Sequence, residues 1–100
     1  MKWANSFIEK LKLGETVKFR PKGNSMSGKI ESGQLVTVEP IAPELLYVGA
    51  IVLCEVNGSQ YLHIIKDIKN GRFTIGNNKG KINGTIDYKS IYGICKKIED

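Results

Sequence analysis

The sequence predicts a mostly β fold, a small coiled β-sheet or barrel with one N-terminal α-helix. Only residues 1–14 show helical periodicity, whereas residues 15–100 carry short runs of alternating or continuous apolar residues. Asn-Gly pairs, which favour tight hairpin turns, separate several of these runs. A chain of 100 residues has room for one hydrophobic core, so we expect a single domain that contains both parts.

The first element is predicted to be an amphipathic helix. Ala4, Phe7, Ile8 and Leu11 follow the i, i+3, i+4, i+7 spacing of one helix face, and charged residues occupy the other face. Gly14 stands where a helix commonly ends. We expect this helix to pack on its own domain rather than on another chain.

About seven short strands follow the helix. The clearest cover residues 16–20, 35–39, 51–56, 60–68, 72–75 and 91–98. The continuous apolar run at residues 51–56 is typical of a strand that is buried on both faces. Asn57-Gly58 and Asn70-Gly71 predict hairpin turns, and Asn83-Gly84 predicts a further turn.

The composition excludes several classes of protein. With 41% hydrophobic and 25% charged residues, the chain is neither a disordered tail nor a fibrous repeat. A net charge of +5 permits a nucleic-acid or acidic-membrane partner without requiring one. No apolar run approaches the roughly 18 residues of a membrane span, and no secretion signal is present, so we expect a cytoplasmic protein without a membrane partner.

The two cysteines give no sign of a metal site. Cys54 and Cys95 lie far apart, and the chain has neither a CxxC motif nor a cluster of histidine and cysteine residues. We therefore expect no metal and no cofactor. Two buried thiols are the default interpretation, and a disulfide would need adjacent strands to bring the two residues together.

Only one histidine is available for acid–base chemistry. His63 lies within a predicted strand, on the same face as Tyr61 and Ile65. Taken alone, a histidine in this position is more often a hydrogen-bonded core residue than a catalytic base. Ser25 lies in a loop of glycine, asparagine and serine, where a role in the turn is also the commoner one.

Four segments that follow one another in a fixed order favour functional rather than structural roles for Ser25 and His63. They are Gly23-Asn24-Ser25-Met26 followed by Ile30, Gly33 and an apolar strand; Leu62-His63-Ile64-Ile65 on the returning strand of a hairpin; Ile75-Gly76-Asn77-Asn78; and Ile91-Tyr92-Gly93. Together they resemble the serine peptidase domain of the signal peptidase and LexA-like repressor autoprotease superfamily. His63 corresponds to the form of that domain in which the base is a histidine rather than a lysine.

The chain departs from the family pattern at several positions. Gly28 stands where a proline is usual, Gln34 where an aspartate follows the glycine, and Ile64 where a basic residue follows the histidine. Asn77 and Asn78, with Ile82 and Asn83 beyond them, stand where the histidine-type relatives carry aspartates.

The resemblance implies a sheet of the LexA C-terminal or signal peptidase type over about residues 19–97 and assigns roles within it. Ser25 would be the nucleophile and His63 the general base and then the general acid. The backbone N–H of Ser25 would contribute to an oxyanion hole, with Gly23, Asn24, Asn77 and Asn78 as supporting residues and Met26 as packing. The third catalytic residue stays open between Asp67, Asp87 and none.

The function that the resemblance implies is a soluble, stand-alone serine peptidase-like domain that cleaves a protein partner in trans. The sequence shows no membrane anchor, which a signal peptidase needs, and no helix-turn-helix module, which a repressor needs. Repressor-type members cut themselves at Ala-Gly or Cys-Gly, and neither dipeptide occurs here.

Two other functions remain open. The first is a catalytically inactive relative that binds a peptide strand by β-augmentation, which the departures from the family pattern favour. The second is a basic β-barrel that binds single-stranded nucleic acid. Its candidate residues are Lys69, Arg72, Lys79 and Lys81, with Tyr61, Phe73 and Tyr88 as stacking aromatics.

Overall fold

The computed structural model describes residues 2–100 and places one α-helix beside a single seven-stranded sheet. The elements are α1 (Asn5–Lys12), β1 (Val17–Phe19), β2 (Leu35–Glu39), β3 (Ile51–Val56), β4 (Ser59–Lys69), β5 (Arg72–Gly76), β6 (Ile82–Asp87) and β7 (Ile91–Glu99). Short 3₁₀ turns occupy Pro43–Leu45 and Tyr88–Ser90. The prediction of a mostly β fold with an N-terminal helix is confirmed.

All neighbouring strands of the sheet are antiparallel, in the order β1-β2-β7-β3-β4-β5-β6. The strand that comes last along the chain, β7, therefore lies between β2 and β3. A Cβ atom at Gly93 of β7 would lie 2.8 Å from the backbone oxygen of Glu39 in β2. Glycine is thus the residue that allows the close approach of these two strands.

Apolar side chains fill both faces of the sheet. The first cluster contains Ala4, Ile8, Leu11, Val17, Phe19, Met26, Ile30, Val36, Val38, Leu53, Leu62 and Ile64. The second contains Leu46, Ala50, Val52, Cys54, Val56, Ile65, Phe73, Ile75, Ile86, Ile91 and Ile94. In β3, Ile51 and Leu53 pack in the first cluster and Val52 and Cys54 in the second, which confirms that this strand is buried on both faces. The helix belongs to the first cluster, so its packing on its own domain is also confirmed.

Two of the three Asn-Gly predictions are confirmed. Asn57-Gly58 joins β3 to β4 and Asn70-Gly71 joins β4 to β5, and all four residues have positive φ, as a type I′ turn requires. The prediction of a turn at Asn83-Gly84 is wrong. This pair lies inside β6, where Gly84 pairs with Ile75 and Asn83 is an unpaired bulge residue.

The two thiols occupy different environments. Cys54 is completely buried in the second cluster, and burial raises its pKa to about 12. Cys95 packs against the first cluster and is only partly buried, so the expectation of two buried thiols is wrong for this residue. Both cysteines are free. Within residues 2–100, no helix has the length and apolar character needed to cross a bilayer.

Candidate active site

The loop between β1 and β2 brings Ser25 against His63 of β4. The Ser25 Oγ and His63 Nε2 atoms are 3.1 Å apart, within hydrogen-bond distance. His63 is only 6% exposed, and its ring stacks on the ring of Tyr61, with the two centroids 4.8 Å apart. A serine hydroxyl is therefore in contact with a shielded imidazole.

Asn83 holds the other side of the imidazole ring. Its Oδ1 atom lies 2.7 Å from His63 Nδ1. Because an amide oxygen only accepts hydrogen bonds, Nδ1 must carry the ring proton. Nε2 then has a free lone pair that accepts the Ser25 hydroxyl proton, which is the arrangement required of a general base.

The bulge in β6 explains how Asn83 reaches the histidine. Ile75 pairs with Gly84 and Gly76 pairs with Ile82, so Asn83 is the extra residue between two paired positions. A bulge changes the direction in which a side chain points, and bulges are common beside functional sites. The structure therefore places an amide oxygen against His63 Nδ1, at a position where the sequence alone indicates a turn.

The surroundings of His63 keep its ring neutral. Burial lowers the pKa of His63 below its ordinary value, and the positive charges of Lys81 and Lys66 lower it further. The hydrogen bond to Asn83 acts in the opposite direction but does not outweigh burial. The imidazole is thus unprotonated and able to accept a proton at neutral pH.

The loop between β5 and β6 supports the serine. The backbone N–H of Asn78 donates to the Ser25 carbonyl oxygen at 3.0 Å, and its side-chain Nδ2 donates to the Ser27 carbonyl oxygen at 2.7 Å. Asn77 Oδ1 accepts the backbone N–H groups of Lys79 and Lys81 and so shapes the loop itself. Both asparagines therefore have structural contacts, and neither hydrogen-bonds His63.

Gly28 makes the approach of these two loops possible. Its φ is +97°, and a Cβ atom there would lie 2.9 Å from Asn78 Nδ2. Its backbone N–H donates to Glu31 Oε2 at 2.8 Å. A proline has φ near −65° and no N–H, so the residue that the family pattern favours here is incompatible with this loop.

The remaining residues of the serine segment shape its loop. The Gly23 N–H donates to Ser32 Oγ at 3.3 Å, and the Asn24 carbonyl oxygen accepts the Ser27 N–H at 3.2 Å. Met26 is buried in the first cluster, where it packs as expected. The Ser25 N–H donates to no group among residues 2–100, which is a condition for the oxyanion-hole role expected of it.

Neither aspartate considered for the third position reaches the histidine. Asp67 lies in β4 opposite Thr74, beyond a register shift. Asp87 accepts the Lys89 N–H at 3.0 Å and begins the 3₁₀ turn before β7. Asn83 hydrogen-bonds His63 Nδ1 instead. The signal that could have indicated this residue is an Asn-Gly pair inside a strand that returns alongside β5.

An apolar pocket opens beside the Ser25–His63 pair. It has a volume of about 580 Å³ and extends from the start of the helix across the serine loop to β4. Its apolar walls are Trp3, Phe7, Phe19, Met26, Ile30 and Leu62. The N-terminal helix, which lies outside the family resemblance, therefore contributes to the candidate site.

Part of β4 facing the pocket has no neighbouring strand. The pairing with β5 begins at Ile64, whereas the pairing with β3 extends through residues 59–64. The Ile65 backbone N–H bonds Ala50 on the β3 side, so alternation directs the polar backbone groups of Gln60 and Leu62 to the open side. The Gln60 carbonyl oxygen there accepts the indole N–H of Trp3 at 2.9 Å.

The candidate nucleic-acid residues are not all available at the surface. Phe73 is buried in the second cluster, so its assignment as a stacking aromatic is wrong. Tyr61 is partly buried against His63, whereas Tyr88 and the four basic residues are exposed. Arg72 also donates to the Thr85 carbonyl oxygen across the sheet at 3.3 Å.

In the part of the chain that the structure describes, no three histidine, cysteine, aspartate or glutamate residues cluster to form a metal site. Comparison of the chain with protein-family models, with curated proteins and with solved structures finds no match.

Proposed function

We propose that this chain is a serine peptidase-like hydrolase of the signal peptidase and LexA-like type, which cleaves a protein partner in trans. The observation that carries the proposal is the hydrogen-bonded series Ser25 Oγ, His63 Nε2, His63 Nδ1 and Asn83 Oδ1. Each member has the contact that its chemical role requires: a nucleophile against a base, and a base oriented by a third group.

The reaction begins with proton transfer to the histidine. As Ser25 Oγ forms a bond to the substrate carbonyl carbon, His63 Nε2 takes the hydroxyl proton and the carbonyl electron pair moves onto its oxygen. Collapse of this intermediate breaks the bond to the amine, which leaves with the proton from Nε2. Water then attacks the acyl group by the same steps and frees Ser25.

Asn83 supports this chemistry by fixing the ring tautomer. An amide holds Nδ1–H in place as an aspartate would, but it lacks the negative charge that stabilises an imidazolium ion. The lowered pKa of His63 also disfavours the protonated ring. We therefore expect slow turnover in comparison with a triad that contains a carboxylate.

The open side of β4 favours an extended polypeptide as the substrate. The backbone N–H and carbonyl of Leu62 have no strand partner and lie next to His63 in the chain. A peptide strand that pairs with Leu62 gains main-chain hydrogen bonds irrespective of its sequence. Such pairing would present the peptide carbonyls to a serine held at the edge of the same pocket.

The proposal is tested by labelling with a fluorophosphonate, which phosphonylates activated serines with loss of fluoride, followed by intact-mass measurement. We expect one adduct on the wild type and none on Ser25→Ala or His63→Ala. Ser27→Ala, which removes a hydroxyl from the same loop, is the matched control and should label normally. Hydrolysis of unfolded casein, followed by mass spectrometry, should show the same dependence. An adduct on Ser25→Ala, or none on the wild type, would contradict the proposal.

One observation favours a second candidate, a module that binds peptides without cleaving them. The third position holds an amide, and no carboxylate among residues 2–100 hydrogen-bonds His63. On this alternative the open edge of β4 binds a strand and the serine stays unmodified. The two candidates differ in one result: the binding module captures peptides but gains no mass from the fluorophosphonate.

A further inference from the structure

The pocket beside Ser25 is lined by three aromatic rings that form a continuous wall. Phe7 of the helix stacks on Phe19 of β1, with ring centroids 4.4 Å apart and an interplanar angle of 18°. Trp3 packs edge-on against both, at 6.4 Å from Phe7 and 5.6 Å from Phe19. Such contacts hold large apolar surfaces in a defined orientation.

Polar contacts fix this wall to β4. Gln60 is 4% exposed, and its Oε1 accepts the Ala4 backbone N–H while its Nε2 donates to Asn5 Oδ1, both at 2.6 Å. Its carbonyl oxygen accepts the Trp3 indole N–H. The start of the helix is thus held at the edge of the strand that carries His63, and the pocket is already formed before any ligand binds.

The pocket is larger than the volume that a small side chain would fill. About 580 Å³ lies within the roughly 300–1,000 Å³ of pockets that hold whole small molecules. An alanine methyl group would leave most of this apolar wall in contact with water, whereas a leucine, methionine or phenylalanine side chain would cover it. Burial of apolar surface favours the larger side chains.

We propose that Trp3 and Phe7 are specificity-determining residues and that the pocket selects an extended peptide with a large apolar side chain next to the scissile bond. This inference rests on the proposed function, because it assigns the substrate class of the same site. The peptide backbone pairs with Leu62, and its apolar side chain enters between the aromatic wall and Met26. The N-terminal segment that contains Trp3 and Phe7 thereby supplies substrate selection, while the β1–β2 loop and β4 supply Ser25 and His63.

Peptide binding can be measured separately from cleavage in the Ser25→Ala variant. Trp3 is the only tryptophan of the chain, so its fluorescence reports on the pocket alone. The probes are two blocked pentapeptides, one all alanine and one with a central phenylalanine, titrated into Ser25→Ala while Trp3 emission is recorded. We expect the phenylalanine peptide to change the emission at concentrations at least tenfold lower than the alanine peptide. Equal responses, or no response to either peptide, would overturn the inference.

Variants at Phe7 separate selectivity from stability. Phe7→Ala should reduce the preference for phenylalanine severalfold, whereas Phe7→Leu keeps an apolar group there and should retain part of it. Tyr47→Ala removes an aromatic side chain that is 56% exposed and lies outside the pocket, so it is the matched control. An unchanged preference in a folded Phe7→Ala or Phe7→Leu variant would also overturn the inference.

Cleavage of the same peptides by the wild type tests the proposed function separately. Selective binding without cleavage would support the assignment of the pocket and contradict the proposed peptidase activity. Cleavage without a preference between the two peptides would support the proposed peptidase activity and contradict the assignment of Trp3 and Phe7 as specificity-determining residues.

Discussion

Asn78 holds Ser25 in place across the candidate site, with its backbone N–H 3.0 Å from the Ser25 carbonyl oxygen. Five residues further along, Asn83 binds His63. The segment that includes the β5–β6 loop and the start of β6 therefore positions both members of the Ser25–His63 pair. A change in this segment should alter the proposed reaction even where Ser25 and His63 themselves are unchanged.

The first prediction concerns Gly28→Ala. Alanine at φ +97° is strained by about 1–2 kcal/mol, and its Cβ would also displace the Asn78 side chain. We expect lower stability together with weaker serine labelling. Gly49→Ala is the matched control, because Gly49 has φ +98° with open space around its Cβ position. Equal labelling by the two variants, at similar losses of stability in thermal unfolding, would show that the Gly28–Asn78 contact has no role.

The second prediction concerns the pH dependence of stability. The folded pKa of His63 lies below its ordinary value, so the unfolded chain binds a proton at pH values where the folded chain does not. The free energy of unfolding should therefore fall as the pH drops below about 6.5 towards the folded pKa. His63 is the only histidine, so its ring NMR signals give the pKa without assignment.

The control for this prediction is His63→Gln, in which the corresponding part of the pH dependence should disappear. A His63 pKa at or above 6.5 in the folded protein would contradict the buried, neutral ring.

The third prediction concerns the amide at position 83. In Asn83→Asp a carboxylate would face Nδ1 and stabilise the imidazolium, so the pKa of His63 should rise. In Asn83→Ala the buried Nδ1–H loses its acceptor, which should cost about 1–3 kcal/mol and weaken serine labelling. NMR titration and chemical denaturation measure the two effects. An unchanged pKa in Asn83→Asp would mean that the 2.7 Å contact is absent in solution.

The fourth prediction concerns Gln60, which joins the helix to β4. Gln60→Ala would leave the buried Ala4 N–H without its acceptor, so we expect a loss of about 1–3 kcal/mol and a change in Trp3 emission. Gln34→Ala removes hydrogen bonds at an exposed site and should change stability by no more than about 0.5 kcal/mol. Similar losses in the two variants would contradict the anchoring role of Gln60.

Local sequence patterns predicted most of the fold. The i, i+4 spacing around Ile8 predicted the helix, and two Asn-Gly pairs predicted the hairpins on either side of β4, because backbone preferences within a few residues decide these features. The turn predicted from the third Asn-Gly pair, Asn83-Gly84, does not form. There the pairing of β6 with β5 outweighs the turn preference and makes a bulge, and such long-range pairing is not visible in the local sequence.

The candidate site was predictable only in part. Ser25 and His63 could be named from their segments, but the distance between them depends on how the β1–β2 loop folds over β4. Phe7 could be assigned to the helix, whereas Trp3 precedes α1 in the structure. Nothing in the spacing of these two residues indicated that they line the pocket beside Ser25. Contacts between distant parts of a chain decide such features.

The central place of β7 in the sheet has a consequence for biosynthesis. β2 pairs with β7, and β7 in turn pairs with β3. The half of the sheet that carries the serine loop therefore joins the half that carries His63 through the strand that is translated last among these seven. Until β7 leaves the ribosome, the two halves have no strand pairing between them and are joined only by side-chain and loop contacts. We therefore expect a stable contact between Ser25 and His63 only after residues 91–99 have emerged.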